Sequence, residues 1–113
     1  MARLKRFSGL TELIIEDGYI KEYSGKILYK YDREYVRKFS GEIIFKISRE
    51  EIRTFAGLLE LTFDGKNLKN FYGQIVRTWD GKNIKEFSGV IEYQIDGFIT
   101  NNDLMALFAI LYA

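Results

Sequence analysis

The sequence predicts a mainly β fold: an antiparallel meander of six 16-residue β-repeats, followed by one short apolar C-terminal α-helix. Three observations carry this. First, an aromatic-x-Gly word returns every sixteen residues, as Phe7-Ser8-Gly9, Tyr23-Ser24-Gly25, Phe39-Ser40-Gly41, Phe55-Ala56-Gly57, Phe71-Tyr72-Gly73 and Phe87-Ser88-Gly89. A fixed period means that each copy is one structural unit against its neighbours. Second, apolar residues alternate after each word, as in Ile91, Tyr93 and Ile95, or Ile43, Phe45 and Ile47. A period of two marks a half-buried strand. Third, Asp64-Gly65, Asp80-Gly81 and Asp96-Gly97 end these runs with hairpin dipeptides, since Gly accepts positive φ at no steric cost.

The copies differ at their turns. Asp17-Gly18 falls one residue late, and Asp32-Arg33 and Ser48-Arg49 lack the Gly, so those two turns should be of another type. A second apolar row lies three residues before the aromatic: Leu4, Ile20, Val36, Ile52, Leu68 and Ile84. Three is out of phase with a strand, so a bulge, bend or second turn must fall between, or the row faces away from the aromatics. Each unit is one strongly bent strand or two short strands meeting near the Phe-Ser-Gly. The aromatic of each word is taken as a packing anchor. A solenoid of sixteen-residue coils would stack Lys5, Lys21, Arg37, Arg53, Lys69 and Lys85 directly, with like-charge repulsion. The hairpin dipeptides favour the meander.

At the C-terminus, Thr100, Asn101 or Asn102 can cap a helix and Asp103 suits its first turn. The run from Leu104 to Ala113 is apolar all round, so it must be engulfed by the sheet or buried between subunits. Ten helical residues reach about 15 Å, half of a bilayer core. The whole chain, 1–113, reads as one domain, with repeats over about 4–99 and the helix over about 101–113. Six aromatic anchors contribute about 9–18 kcal/mol of burial, set against an ordering cost of about 1–2 kcal/mol per residue. One small sheet is marginal on that account. A homo-oligomer is therefore expected, a tetramer among the possibilities, with Leu104, Leu107, Phe108 and Leu111 as the candidate interface.

Composition narrows the chemistry. The chain has no His and no Cys, which removes the commonest general base, the commonest metal ligand and any disulfide. No metal site and no cofactor are expected. The serines before Gly have no G-x-S-x-G context and no His to act as base, and local hydrogen bonding at a bend accounts for them. The Asp-Gly turns lack calcium-loop spacing. Lys5, Lys21, Arg37, Arg53, Lys69 and Lys85 form a candidate anion-binding stripe, with Glu22, Glu34, Glu50, Glu51 and Glu86 nearby to neutralise it; the net charge is +1. Trp79, the single Trp, is a candidate for a ligand site with Tyr72 and Arg77, or for packing. No secretion signal is read at the N-terminus, so a cytoplasmic location is expected.

The segments Tyr19–Asp32 and Asn83–Gly97 resemble the repeat unit of the 4-fold beta flower proteins, small bacterial proteins of unknown function. Asp103–Ala113 is similar to the short apolar helix that ends that unit. The likeness covers residues 4–113, departing at Ala56 and Tyr72, which stand for the Ser. It implies an all-β repeat domain and no activity. A fainter likeness, at Gly73–Trp79 and Asp103–Leu107, is to tubby-like and scramblase-type barrels, which wrap hairpins around an apolar C-terminal helix. The expected function is a non-enzymatic structural or interaction module, with the chain itself as partner and no specific nucleic acid. The alternative is a ligand- or membrane-surface-binding β-domain that uses aromatics and the basic stripe.

Overall fold

A computed structural model describes residues 1–113. The chain forms an up-and-down meander of twelve strands: β1 Ala2–Arg6, β2 Thr11–Glu16, β3 Tyr19–Glu22, β4 Ile27–Tyr31, β5 Tyr35–Lys38, β6 Ile43–Ile47, β7 Glu51–Thr54, β8 Leu59–Phe63, β9 Asn67–Asn70, β10 Ile75–Trp79, β11 Asn83–Glu86 and β12 Ile91–Gly97. The helix α1, Asn101–Tyr112, follows. Each strand pairs antiparallel with its neighbours in the chain, and β1 pairs with β12 from Ala2↔Gly97 to Arg6↔Tyr93. The meander therefore closes into a barrel without free edges. Its Cα envelope is wide and shallow, 36 × 35 × 17 Å.

Each sixteen-residue unit is two short strands, as the second of the two sequence readings has it. The aromatic-x-Gly word is the hairpin tip between them. In the first tip, Gly9 N–H donates to Arg6 O at 2.8 Å and Arg6 N–H to Leu10 O at 2.9 Å. Gly9 has φ +92, the left-handed residue of a three-residue hairpin loop. The same bonds recur at every tip. In every tip hairpin the register also slips once, as between Ile20↔Tyr29 and Lys21↔Ile27. This is the bulge that the phase of the apolar row demands. An extra residue such as Leu28 or Ile44 bends its strand and increases its twist, and short twisted strands are what a barrel this shallow needs.

The other turns close the opposite end. Gly65 and Gly81 hold φ +100 and +98, whereas Arg33 and Arg49 take no positive φ, so the two turns without Gly do differ in type. Both kinds are held by a side chain: Asp64 Oδ1 accepts from the N–H of Lys66 and Asn67 at 2.9 and 2.7 Å, and Ser48 Oγ accepts from Glu51 N–H at 3.2 Å.

The row three residues before each aromatic is the core. Leu4, Ile20, Val36, Ile52, Leu68 and Ile84 are 0–1% exposed. Ile15, Tyr31, Ile47, Phe63 and Ile95 form a second buried row nearer the turns. The aromatics of the word are not anchors. Phe7, Tyr23, Phe39, Phe55, Phe71 and Phe87 are 60–75% exposed, because a residue at the apex of a hairpin loop projects beyond the sheet. The packing role falls instead to α1, where Leu104, Met105, Ala106, Leu107, Phe108 and Ala109 are all buried. The helix is thus engulfed by the sheet of its own chain. Thr100 caps it: its Oγ1 accepts from Asp103 N–H, and Asp103 accepts in return from Thr100 N–H at 3.1 Å. Three further bonds fix the helix entrance to the turn end of the barrel. Asn101 donates to Arg49 O, Asn102 to Asp32 O, and Tyr31 OH to Asp103 at 2.6 Å.

Candidate functional site

Hairpin connectivity puts every aromatic-x-Gly tip on one rim. The result is a crown of exposed aromatic rings around one mouth of the barrel. Tyr72, Leu10, Leu58 and Val90 are exposed beside them, and Phe71 meets Tyr72 edge-on with ring centroids 5.4 Å apart. Exposed apolar side chains gathered on one rim make it the candidate interaction surface of this barrel. The sequence carried a signal for this crown. The aromatics sit out of phase with the core row, and a Gly two residues on fits a three-residue hairpin loop.

Inside that mouth lies the end of α1 and a polar network. Arg77 Nε donates to Glu92 at 2.9 Å, and Tyr112 OH donates to the same carboxylate. The Arg77 guanidinium stacks 4.7 Å from the Tyr112 ring centroid. Arg6 and Glu12 form a second pair nearby. Arg77 stands where the other copies carry Leu13, Tyr29, Phe45, Leu61 and Tyr93, each opposite a core-row residue. The network ties the last turn of the helix to β10 and β12. Burial pulls the Glu92 carboxyl up, but the bonds from Arg77 and Tyr112 outweigh it and hold the group below 4.5. Burial, then the bond to Glu92, pushes the Tyr112 hydroxyl well above its ordinary 10.0. Burial and Asp103 do the same to Tyr31 at the other end of the helix.

These shifts set a pH window. Tyr112 and Tyr31 keep their protons in the native barrel at a pH where the unfolded chain loses them, so their contribution is fully present below about pH 10 and is lost above it. Each adds at most about 1.4 kcal/mol per pH unit to that loss, less the screening at half-buried sites. Urea midpoints should fall steeply from about pH 10 upward, and Tyr31→Phe/Tyr112→Phe should flatten that limb. An unchanged alkaline limb in the double variant would show that these hydroxyls are not what the barrel protects.

The predicted stripe lies elsewhere. Lys5, Lys21, Arg37, Arg53, Lys69 and Lys85 each follow a buried core residue in their strand, so they project outward and encircle the wall instead of converging in a concave patch. Lys5 pairs with Asp96 at 3.1 Å, Lys21 with Glu16 at 3.6 Å, Arg53 with Glu51 at 3.0 Å and Lys85 with Asp80 at 3.3 Å. Of the predicted interface residues, Leu104, Leu107 and Phe108 are buried within the subunit and Leu111 is half-buried. They line the barrel interior, not a surface. Trp79 lies with Phe63 and Phe98 at the turn end, in an open cleft of about 360 Å³. Gly65, Gly81 and Gly97 also line it. Arg77 and Tyr72 belong to the opposite rim, so the three do not form one site.

Models of protein families, curated proteins and solved structures offer no match to this chain. No three acidic side chains come together as metal ligands, and no helix is long and apolar enough to cross a membrane.

Proposed function

We propose that the protein is a non-enzymatic interaction module that assembles with a second copy of itself through the aromatic crown. The crown is the observation that carries this. A Phe or Tyr side chain offers about 200 Å²; at the exposures observed, six tips present about 800 Å², the area that each partner of a stable complex typically buries. The rim mixes Arg6, Lys26 and Lys38 with Glu22, Glu42 and Glu86, so two crowns related by a two-fold axis can pair opposite charges. A crown-to-crown contact is self-complementary and closes at a dimer. Oligomerisation thus moves from the helix, which the barrel encloses, to the tips. Kinship with the 4-fold beta flower proteins and a cytoplasmic location belong to the same proposal. The repeat supports the first. A chain without Cys, which gains nothing from an oxidising compartment, supports the second.

Sedimentation at micromolar concentration tests it. The wild type should run as a dimer and Phe7→Ser/Phe55→Ser, at opposite tips of the ring, as a folded monomer. A wild type that is monomeric at that concentration sinks the proposal. If that monomer pellets with neutral phosphatidylcholine vesicles and the double variant does not, the crown serves a membrane surface instead.

A further inference from the structure

One sector of the outer wall carries positive charge arranged against its own stability. Five consecutive strands, β3 to β7, each project a cation outward: Lys21, Lys30, Arg37, Lys46 and Arg53. Lys30 and Lys46 precede the buried Tyr31 and Ile47, which fixes their outward direction. Register places Lys30 directly opposite Arg37, and Lys46 directly opposite Arg53. Like charges at directly opposed positions destabilise a sheet. Elsewhere on the wall the same position is diluted: Lys21 faces Ile14, Lys69 faces Thr62, Lys85 faces Thr78 and Lys5 faces Gln94. Carboxylates pair only the two ends of the row, Lys21 with Glu16 and Arg53 with Glu51. Lys30, Arg37 and Lys46 in the middle have no acidic partner within salt-bridge distance. Aromatic rings lie among them. Lys30 sits 5.5 Å from the Phe39 ring centroid and Arg37 5.4 Å from that of Tyr35, while Tyr19 and Tyr35 stand opposite Lys30 and Lys46.

We propose that this row is a binding track for the phosphate backbone of single-stranded nucleic acid, read without sequence preference. Strand spacing sets the directly opposed cations, Lys30–Arg37 and Lys46–Arg53, about 4.8 Å apart, and the two-residue offsets Lys21–Lys30 and Arg37–Lys46 make diagonals of about 7–8 Å. That is a zigzag band of charge running across the strands, with rings alongside on which bases stack. The wall is convex, so a flexible strand can follow the whole row, whereas a rigid duplex or a flat bilayer touches it only along a line. The sequence-visible stripe supplies three of these residues. Lys30 and Lys46 come from the intervening strands, and only the register brings them into the row. The cations lie on the wall and the track shares only Phe39 with the crown, so charge reversals at Lys30 and Lys46 test it independently of the dimer.

The test uses a short fluorescein-labelled oligothymidylate and fluorescence anisotropy. Neutralising about five phosphates predicts a log–log salt slope of about −3.5 for the wild type. Lys30→Glu/Lys46→Glu should weaken binding by roughly 30-fold or more. It should also raise the urea midpoint, because each new carboxylate faces an arginine instead of repelling it. Lys69→Glu/Lys85→Glu changes net charge equally on other strands and should cost less than about fivefold. Equal losses in the two double variants, a flat salt response, or heparin binding without oligothymidylate binding would each overturn the proposal. So would an unchanged urea midpoint in Lys30→Glu/Lys46→Glu, since the opposed cations would then not be in conflict.

Discussion

Gly97→Ala should unfold or open the barrel, at a cost of about 3 kcal/mol or more. Gly97 ends β12 with φ +97, a conformation that strains any residue with a Cβ. Strain alone is about 1–2 kcal/mol. At Gly97 there is also no room. A Cβ would collide with the Met1 carbonyl oxygen and lie 3.4 Å from the Ala2 Cα. Both contacts are backbone, not the flexible end of a side chain; Ala2 opens the seam where β1 closes on β12, and Met1 immediately precedes it. Gly41→Ala is the control. Gly41 has the same φ, +97, but a Cβ there meets nothing within 4 Å, so that variant should cost only the strain. Urea denaturation of the two variants gives the comparison. Equal losses would mean that the seam adjusts and that closure does not depend on Gly97.

Phe108→Ala should cost about 3–5 kcal/mol, toward the upper end. Phe108 is 1% exposed inside the barrel. Its ring packs edge-on against Phe63 at 5.1 Å and against Tyr112 at 6.2 Å. The cost of a large-to-small change depends on how far the site can collapse into the hole. A closed ring of hydrogen-bonded strands cannot move inward without breaking its ladder, so the cavity persists. A loss of this size is a large part of the 5–15 kcal/mol that holds a typical domain together. Phe55→Ala, at an exposed tip, should change stability by less than about 0.5 kcal/mol. Thermal or urea unfolding of both decides the matter. A comparable loss at Phe55 would mean that the tip rings are structural after all.

The contrast between Phe108 and Phe55 shows where sequence reading succeeds and where it stops. Both are phenylalanines, a residue type most often found inside. Period and turn chemistry are local, so the repeat, the strands, the Asp-Gly hairpins and the capped helix were all legible. The bulge was legible too, as a phase error of one residue between the core row and the aromatic. Which member of that out-of-phase pair faced inward was not. That depends on whether the Phe-Ser-Gly is a bend within a strand or the apex of a hairpin, and only pairing decides it. The crown went unread for this reason. The basic stripe was legible as a repeat position, but Lys30 and Lys46 lie at a different repeat position and join it only through register.

By itself the sequence determined that this is one β-meander of six like units with an apolar helix at its end. Those properties follow from period, side-chain alternation and turn residues, all of which act over a few neighbouring positions. Tertiary structure decided that the first and last strands meet, and that the helix fills the barrel of its own chain rather than a subunit interface. It also decided that six aromatics face solvent on one rim and that five cations line up on one wall. Each of these joins residues far apart in the chain. Closure fixes them, because only when Ala2 pairs with Gly97 does the sheet have an inside for the helix and a rim for the tips.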